Sequence, residues 1–205
     1  MFRQSVLTQS LLQGFASRSR WLLQILGLAF VLVFLFLDTS CLGFPAKDVQ
    51  VITDRQYFAV VRDCFREAKS SIRMMMYEAS YYKKYQDSPS NILIRELIAA
   101  KKRGLEVKVI LERREEKEKE AQKNTGTGAL LAQGGVEVAY DPLSVVTHTK
   151  LLLIDGKISV VGSTNWTYSA LEKNHEAAVL IRSPEVANNL QNYFKDVWKT
   201  CSKGK

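Results

Sequence analysis

The chain has 205 residues, 46% hydrophobic and 24% charged, enough for one folded domain plus an appendage and too apolar for wholesale disorder. Lys and Arg number 29 against 21 Asp and Glu, a formal net charge of +8 that suits a polyanionic partner, either nucleic acid or an anionic lipid surface. Cys41, Cys64 and Cys201 include no CxxC pair and exclude a disulfide scaffold or zinc finger, and two histidines, His148 and His175, argue against a multi-histidine metal site within one chain.

The first predicted element is apolar. Residues 21–37, WLLQILGLAFVLVFLFL, are interrupted only by Gln24 and have no polar face. Arg3, Arg18 and Arg20 precede the run, no acidic residue does, and Asp38 ends it. This is the pattern of a signal anchor or a signal peptide, and the length of the run and of its leader favours the anchor. The expectation is a membrane-anchored, single-pass protein. Residues 1–42 form the anchor, and residues 43–205 form a domain on the extracytoplasmic, periplasmic side. Ser40-Cys41 resembles a lipoprotein cleavage site, although Asp38 stands where that signal wants Leu. A secreted or lipoprotein form, or a mitochondrial outer-membrane address, are the alternatives.

Gly43 and Pro45 mark a linker, and residues 49–52 read as a first strand. Thr53 or Asp54 then caps a helix to about Lys69, with Tyr57, Val60, Val61, Cys64 and Phe65 on one face. Cys64 reads as core. Residues 71–77, SIRMMMY, read as a buried strand whose Met run is packing material. Ser88-Pro89 opens a helix that stops near Gly104, and residues 106–111 form the next strand. The run ERREEKEKEAQK at 112–123 reads as a solvated helix or mobile loop. Gly126 and Gly128 then precede a short helix at 129–133, and residues 136–140 form a strand. Residues 150–154 and 158–161 flank an Asp155-Gly156 turn, a strong hairpin signal. Residues 175–181 read as a strand and 184–199 as a closing amphipathic helix. The fold class is α/β, a mixed β-sheet with helices on both faces.

The chemistry concentrates in HTKLLLIDGKISVVGSTNWT, residues 148–167. Side chains alternate along a strand, so His148 and Lys150 point to one side at the strand start, and Leu152 and Ile154 continue that side inward as core. Ser163 and Asn165 share a parity after the second arm of the hairpin. An imidazole, an ammonium, a hydroxyl and an amide thus converge at one end of the sheet. Lys150 and Asn165 can hold the non-bridging oxygens of a phosphate, and His148 can act as nucleophile or proton shuttle. Glu176, at the start of the next strand, can accept the other ring N–H of His148 and fix its tautomer. His175 has the opposite parity and reads as structural.

The spacing His148-x-Lys150-x4-Asp155-x6-Gly162-Ser163-x-Asn165 is the signature of the phospholipase D superfamily. Together with IRMMMYEAS, LIAAKKRGLEVKVIL and NHEAAVLI, it makes residues from about 49 to 198 resemble the bacterial endonucleases that carry one copy of the motif. The mitochondrial phospholipase-D-like nucleases are similar, but often carry a zinc-binding Cys/His insertion that this sequence lacks. The charge run at 112–123 is longer than the family pattern. The resemblance implies a phospholipase D-like fold and a phosphodiesterase with no metal and no cofactor. His148 would attack phosphorus and form a phosphohistidine, and a second His148 from another copy of the motif would protonate the leaving oxygen. Lys150 and Asn165 would stabilise the pentacoordinate phosphorus with Ser163 in support, and Glu176 would orient His148. Asp155 and Gly162 are structural members of the motif. Glu78, Trp166 and Tyr168 are candidates for the substrate rim. Nucleic acid is the expected substrate and a homodimer the expected unit. The alternatives are a phospholipid headgroup, such as phosphatidylcholine or cardiolipin, and a non-catalytic nucleic-acid or anionic-lipid binding protein.

Overall fold

The structure is a computed structural model, and it describes residue 46 and residues 48–113 and 119–203. The expected membrane segment at 21–37 lies outside the described residues. Among the described residues, no helix is long and apolar enough to cross a membrane.

Eight strands form one mixed sheet. In chain order they are β1 (Asp48–Thr53), β2 (Ser71–Met76), β3 (Glu106–Leu111), β4 (Glu137–Tyr140), β5 (Lys150–Ile154), β6 (Ile158–Gly162), β7 (Ala177–Arg182) and β8 (Ser202–Lys203). The helices are α1 (Gln56–Glu67), α2 (Pro89–Lys102), α3 (Lys119–Gln133), α4 (Tyr168–Glu172) and α5 (Pro184–Thr200). The spatial order is β1-β7-β6-β5-β2-β3-β4-β8. The β2, β3 and β4 strands run parallel to one another, joined by helical crossovers, while β5, β6 and β7 form an antiparallel meander. The seam between the two halves is the antiparallel pair β2–β5, with Met76 opposite Lys150. The chemical end of β5 therefore lies at the middle of the sheet.

Both faces are covered, as the run of buried strands requires. Met74 and Met76 enter the larger core with Phe65 of α1, Leu93 and Leu97 of α2 and Leu131 of α3. Met75 faces the other way, with Ile110, Leu151, Leu153 and Phe194 of α5. All three methionines are fully buried, so the Met run is core on two faces at once. Cys64 is buried, and burial raises its thiol pKa. Ser88 caps α2 by accepting from the Asn91 N–H, and Pro89 sits in the first turn.

Several boundaries differ from the sequence expectation. α1 has Arg55 at its N-cap, with no side-chain cap. Asp54 instead adopts a left-handed φ of 50° and turns its carboxylate to the Glu176 N–H, 2.8 Å away. That N–H, with help from His175, holds the Asp54 carboxyl below its usual value. α3 is one helix from Lys119 through both glycines, not a short helix after them. Tertiary contacts override the local signal. The buried Asn124 takes the Ala79 N–H and donates to the Tyr77 and Glu112 carbonyls, and Thr127 bonds Tyr81 and Ala79. A Cβ on Gly128 would stand 2.0 Å from the Tyr140 hydroxyl, so this glycine is the space for that ring. Glu112, read as the start of a solvated run, is only 2% exposed and accepts the Thr147 N–H. The short α4 and the edge strand β8 had no periodicity to announce them, and β7 starts at Ala177, two residues later than expected.

Asp155 is held at the far end of the hairpin from Lys150. It turns the β5–β6 hairpin at φ 55°, and its carboxylate accepts from the Lys69, Ser70 and Ser71 N–H groups and the Ser70 hydroxyl at 2.8–3.0 Å. Burial opposes its ionisation, but the donors prevail and its pKa lies below the ordinary 3.8. Its contribution to stability is complete above that ordinary value and is lost as the pH falls through the lower folded value. Asp155→Ala is expected to cost about 2–4 kcal/mol at pH 7, because it loses charged hydrogen bonds and strains a left-handed residue. Asp155→Asn, which tolerates that backbone, should cost about half as much. Denaturant midpoints of the two variants check this, and equal stability to wild type would refute the latch.

Candidate active site

The hairpin and its neighbours bring His148, Lys150, Ser163, Asn165 and Glu176 to one sheet end, with Asp155 at the other. β5 begins at Lys150, so His148 stands just before the strand, and the Thr149 carbonyl accepts the Tyr77 N–H at 3.1 Å. His148 is exposed. Its ring meets the Tyr77 ring edge-on, with centroids 4.7 Å apart. The backbone ahead of it is anchored: the Thr147 N–H donates to Glu112, and the Thr147 hydroxyl donates to the buried Asp141. Tyr77, Glu112 and Asp141 were not singled out by the sequence. The signal for Tyr77 was its place at the end of the strand that pairs with β5. Glu112 was hidden inside a charge run.

Lys150 is 7% exposed and lies on the larger-core side with Leu152 and Ile154, as the alternation predicts. Its Nζ donates to the His148 carbonyl at 2.8 Å and lies 4.7 Å from the Tyr77 ring centroid. Burial pushes the ammonium pKa down, and the Glu176 carboxylate pulls it back up. A cation shielded from water interacts more strongly with a phosphate than a solvated one does.

Across the meander, Gly162 pairs with Ala178, and a Cβ there would fall 2.4 Å from the Ala178 Cβ. Glycine is required for this approach. Ser163 donates to Glu176 and accepts from the Ala177 N–H at 3.2 Å. Glu176 also accepts from Asn174 at 3.0 Å. Within one chain the carboxylate thus braces the loop after β6, and its recorded partners do not include the His148 ring. Asn165 keeps a buried side-chain Oδ1 with no partner. The amide N–H groups of this side chain can donate to a ligand oxygen.

The rim candidates divide. Trp166 is fully buried, packs on Phe65 at 5.9 Å and donates to the Tyr57 hydroxyl at 3.3 Å. It is core and not rim, because the bridge between Ala79 and Trp166 draws this segment inward. Tyr168 remains 46% exposed. Glu78 is paired with Lys123 at 2.7 Å beside Tyr77. His175 is almost wholly exposed, 3.4 Å from Asp54, and takes no part in the core.

With this geometry in view, the similarities to known proteins are specific. A family of domains described as "Cardiolipin synthase, PLD-like domain" matches residues 61–198. "Phospholipase D" of Rickettsia typhi is 31% identical over 118 residues, 57% of this chain and 55% of the relative. "Mitochondrial cardiolipin hydrolase" of Danio rerio is 32% identical over 108 residues, 51% of this chain and 44% of that one. The chain thus spans about half the length of the curated relatives it matches. Among solved structures, the phospholipase D family member Nuc from Salmonella typhimurium superposes with a TM-score of 0.65 at 27% identity. That match covers 77% of this chain and 98% of Nuc.

Proposed function

The chain belongs to the phospholipase D superfamily, and we propose that it is a phosphodiesterase, an endonuclease that hydrolyses DNA or RNA without a metal through a phosphohistidine at His148. The observation that carries this reading is the exposed His148 whose carbonyl holds a Lys150 ammonium almost shut off from water, with both side chains against the Tyr77 ring. The net charge of +8 suits a polyanionic substrate such as a nucleic acid.

In the first step a ring nitrogen of His148 forms a bond to phosphorus, and the bond from phosphorus to the leaving oxygen breaks. A second imidazole gives that oxygen its proton. In the second step water attacks phosphorus, the now neutral second imidazole takes the water's proton, and His148 leaves. Lys150 and the Asn165 amide hold the charge on the non-bridging oxygens in both steps. Glu176 supports Lys150 electrostatically and, with Ser163, sets the loop that carries Asn165; in the assembled site it orients His148. The motif occurs once in the chain, so the second imidazole is His148 of a two-fold partner. Leu143, Val145 and Val146, exposed immediately before His148, supply apolar surface for that contact. The apolar run at 21–37 and the arginines before it support a membrane anchor, with the domain on the extracytoplasmic side.

A second reading has its own support. The same apolar side chains could enter a lipid surface, and the relatives named above carry lipid substrates in their names. The deciding experiment offers the full chain plasmid, single-stranded DNA, RNA and vesicles of phosphatidylcholine or cardiolipin, with and without EDTA. Nucleic-acid cleavage that persists in EDTA is the expected result, with a bell-shaped pH profile because one imidazole must be neutral and the other protonated. Cleavage of vesicles alone would transfer the proposal to the lipid enzyme. Activity that EDTA abolishes and magnesium restores would end the metal-free mechanism.

A further inference from the structure

A groove of about 760 Å³ opens between the 82–88 loop and α4, lined by Tyr82, Tyr85 and Tyr168 with Lys84, Gln86 and Asp87. We infer that it is a subsite for one unpaired nucleobase next to the scissile phosphate, so that the enzyme selects single-stranded over duplex substrate. This rests on the nuclease reading above.

The groove adjoins the site through the chain itself. Tyr168 follows Asn165 by three residues, a span of at most about 11 Å. The two walls are tied together, since the Ser80 N–H donates to the Trp166 carbonyl at 2.9 Å and the Tyr168 N–H to the Tyr82 hydroxyl at 3.0 Å. The loop is also held rigid from beneath. Asn91, fully buried in the first turn of α2, accepts from the Tyr82 N–H and donates to the Tyr82 and Tyr85 carbonyls, at 2.8–2.9 Å. Arg95 fixes the Gln86 carbonyl at 2.8 Å. An exposed loop pinned this way presents its side chains with little ordering cost on binding.

Its chemistry matches a nucleotide. Tyr85 and Tyr168 are 61% and 46% exposed, and each ring has an ammonium over it, Lys84 at 5.7 Å and Lys173 at 5.3 Å. A base can stack on the open face of such a ring while the ammonium meets the adjoining phosphate. A choline headgroup is disfavoured, because the two ammoniums repel a quaternary cation from the same rings. A base inside a duplex already has both faces stacked and would have to be extruded at a cost of a few kcal/mol.

The test compares kcat/KM of the full chain and its variants on three substrates: a short single-stranded oligonucleotide, the same sequence as a duplex, and bis(p-nitrophenyl) phosphate. Tyr85→Leu should lower the single-strand value about 5- to 150-fold, the range of one lost base–aromatic stack. It should leave the other two within about twofold, and Tyr85→Trp should restore the loss. Lys84→Gln should reduce the salt slope of single-strand binding by about 0.7. Unchanged single-strand cleavage by Tyr85→Leu, or an equal fall on all three substrates, overturns the subsite while leaving the nuclease reading in place. A wild type that cleaves vesicles and no oligonucleotide overturns both.

Discussion

His148→Ala is expected to abolish hydrolysis, lowering kcat by about 10⁴–10⁶ while the protein stays folded. His148 is exposed and is not part of either core cluster, and its ring meets the edge of Tyr77. The thermal midpoint should therefore stay near wild type, which separates a chemical role from a structural one. The same variant tests the shared site. When wild type and His148→Ala are refolded together, mixed dimers keep one imidazole and lack either the nucleophile or the acid. Loss of an acid alone costs about 10²–10⁴. Activity per total protein should then follow the square of the wild-type fraction. A straight line, once subunit exchange is confirmed, would sink the dimeric site, and residual activity within tenfold of wild type would remove His148 from the chemistry altogether.

Lys150→Met is the second large effect, a fall in kcat of about 10²–10³ or more from the loss of one preorganised donor to the transition state. Methionine fills nearly the same volume, and the lysine it replaces is a desolvated cation at 7% exposure. Removing that charge should not lower stability and can raise it. A variant that is inactive and equally stable is the signature of a group held for chemistry. Glu176→Gln provides the companion measurement. Burial lowers the Lys150 pKa and Glu176 opposes that shift, so removing the carboxylate lets the pKa fall further. The ammonium then loses its proton at a lower pH, and a second alkaline limb of kcat/KM, above the one set by the acid imidazole, moves to lower pH. A limb that stays in place while kcat drops would leave Glu176 only its bracing of Ser163 and Asn174.

Local physics made much of this protein legible from its residues. The Asp155-Gly156 turn between alternating apolar arms declared the β5–β6 hairpin, because a two-residue turn with positive φ admits few sequences. Ser88-Pro89 and Gly104 bounded α2 for the same kind of reason. The spacing from His148 to Asn165 carried the resemblance to the family, and alternation along paired strands turned its offsets into a set of candidate groups at one end of a sheet. What remained depended on contacts between residues far apart in the chain. Trp166 has the composition of a rim residue and became core only when Ala79 and Phe65 closed over it. Glu112 looked solvated until the Thr147 N–H gave its carboxylate a buried partner. α3 passes through Gly126 and Gly128 because Asn124, Thr127 and Tyr140 hold it there, against the local preference of glycine. Tyr77, the Asn91-pinned loop and the groove beside Tyr168 arise where separate segments meet. Periodicity reports which face a residue is on, but only the assembled packing decides what it meets there.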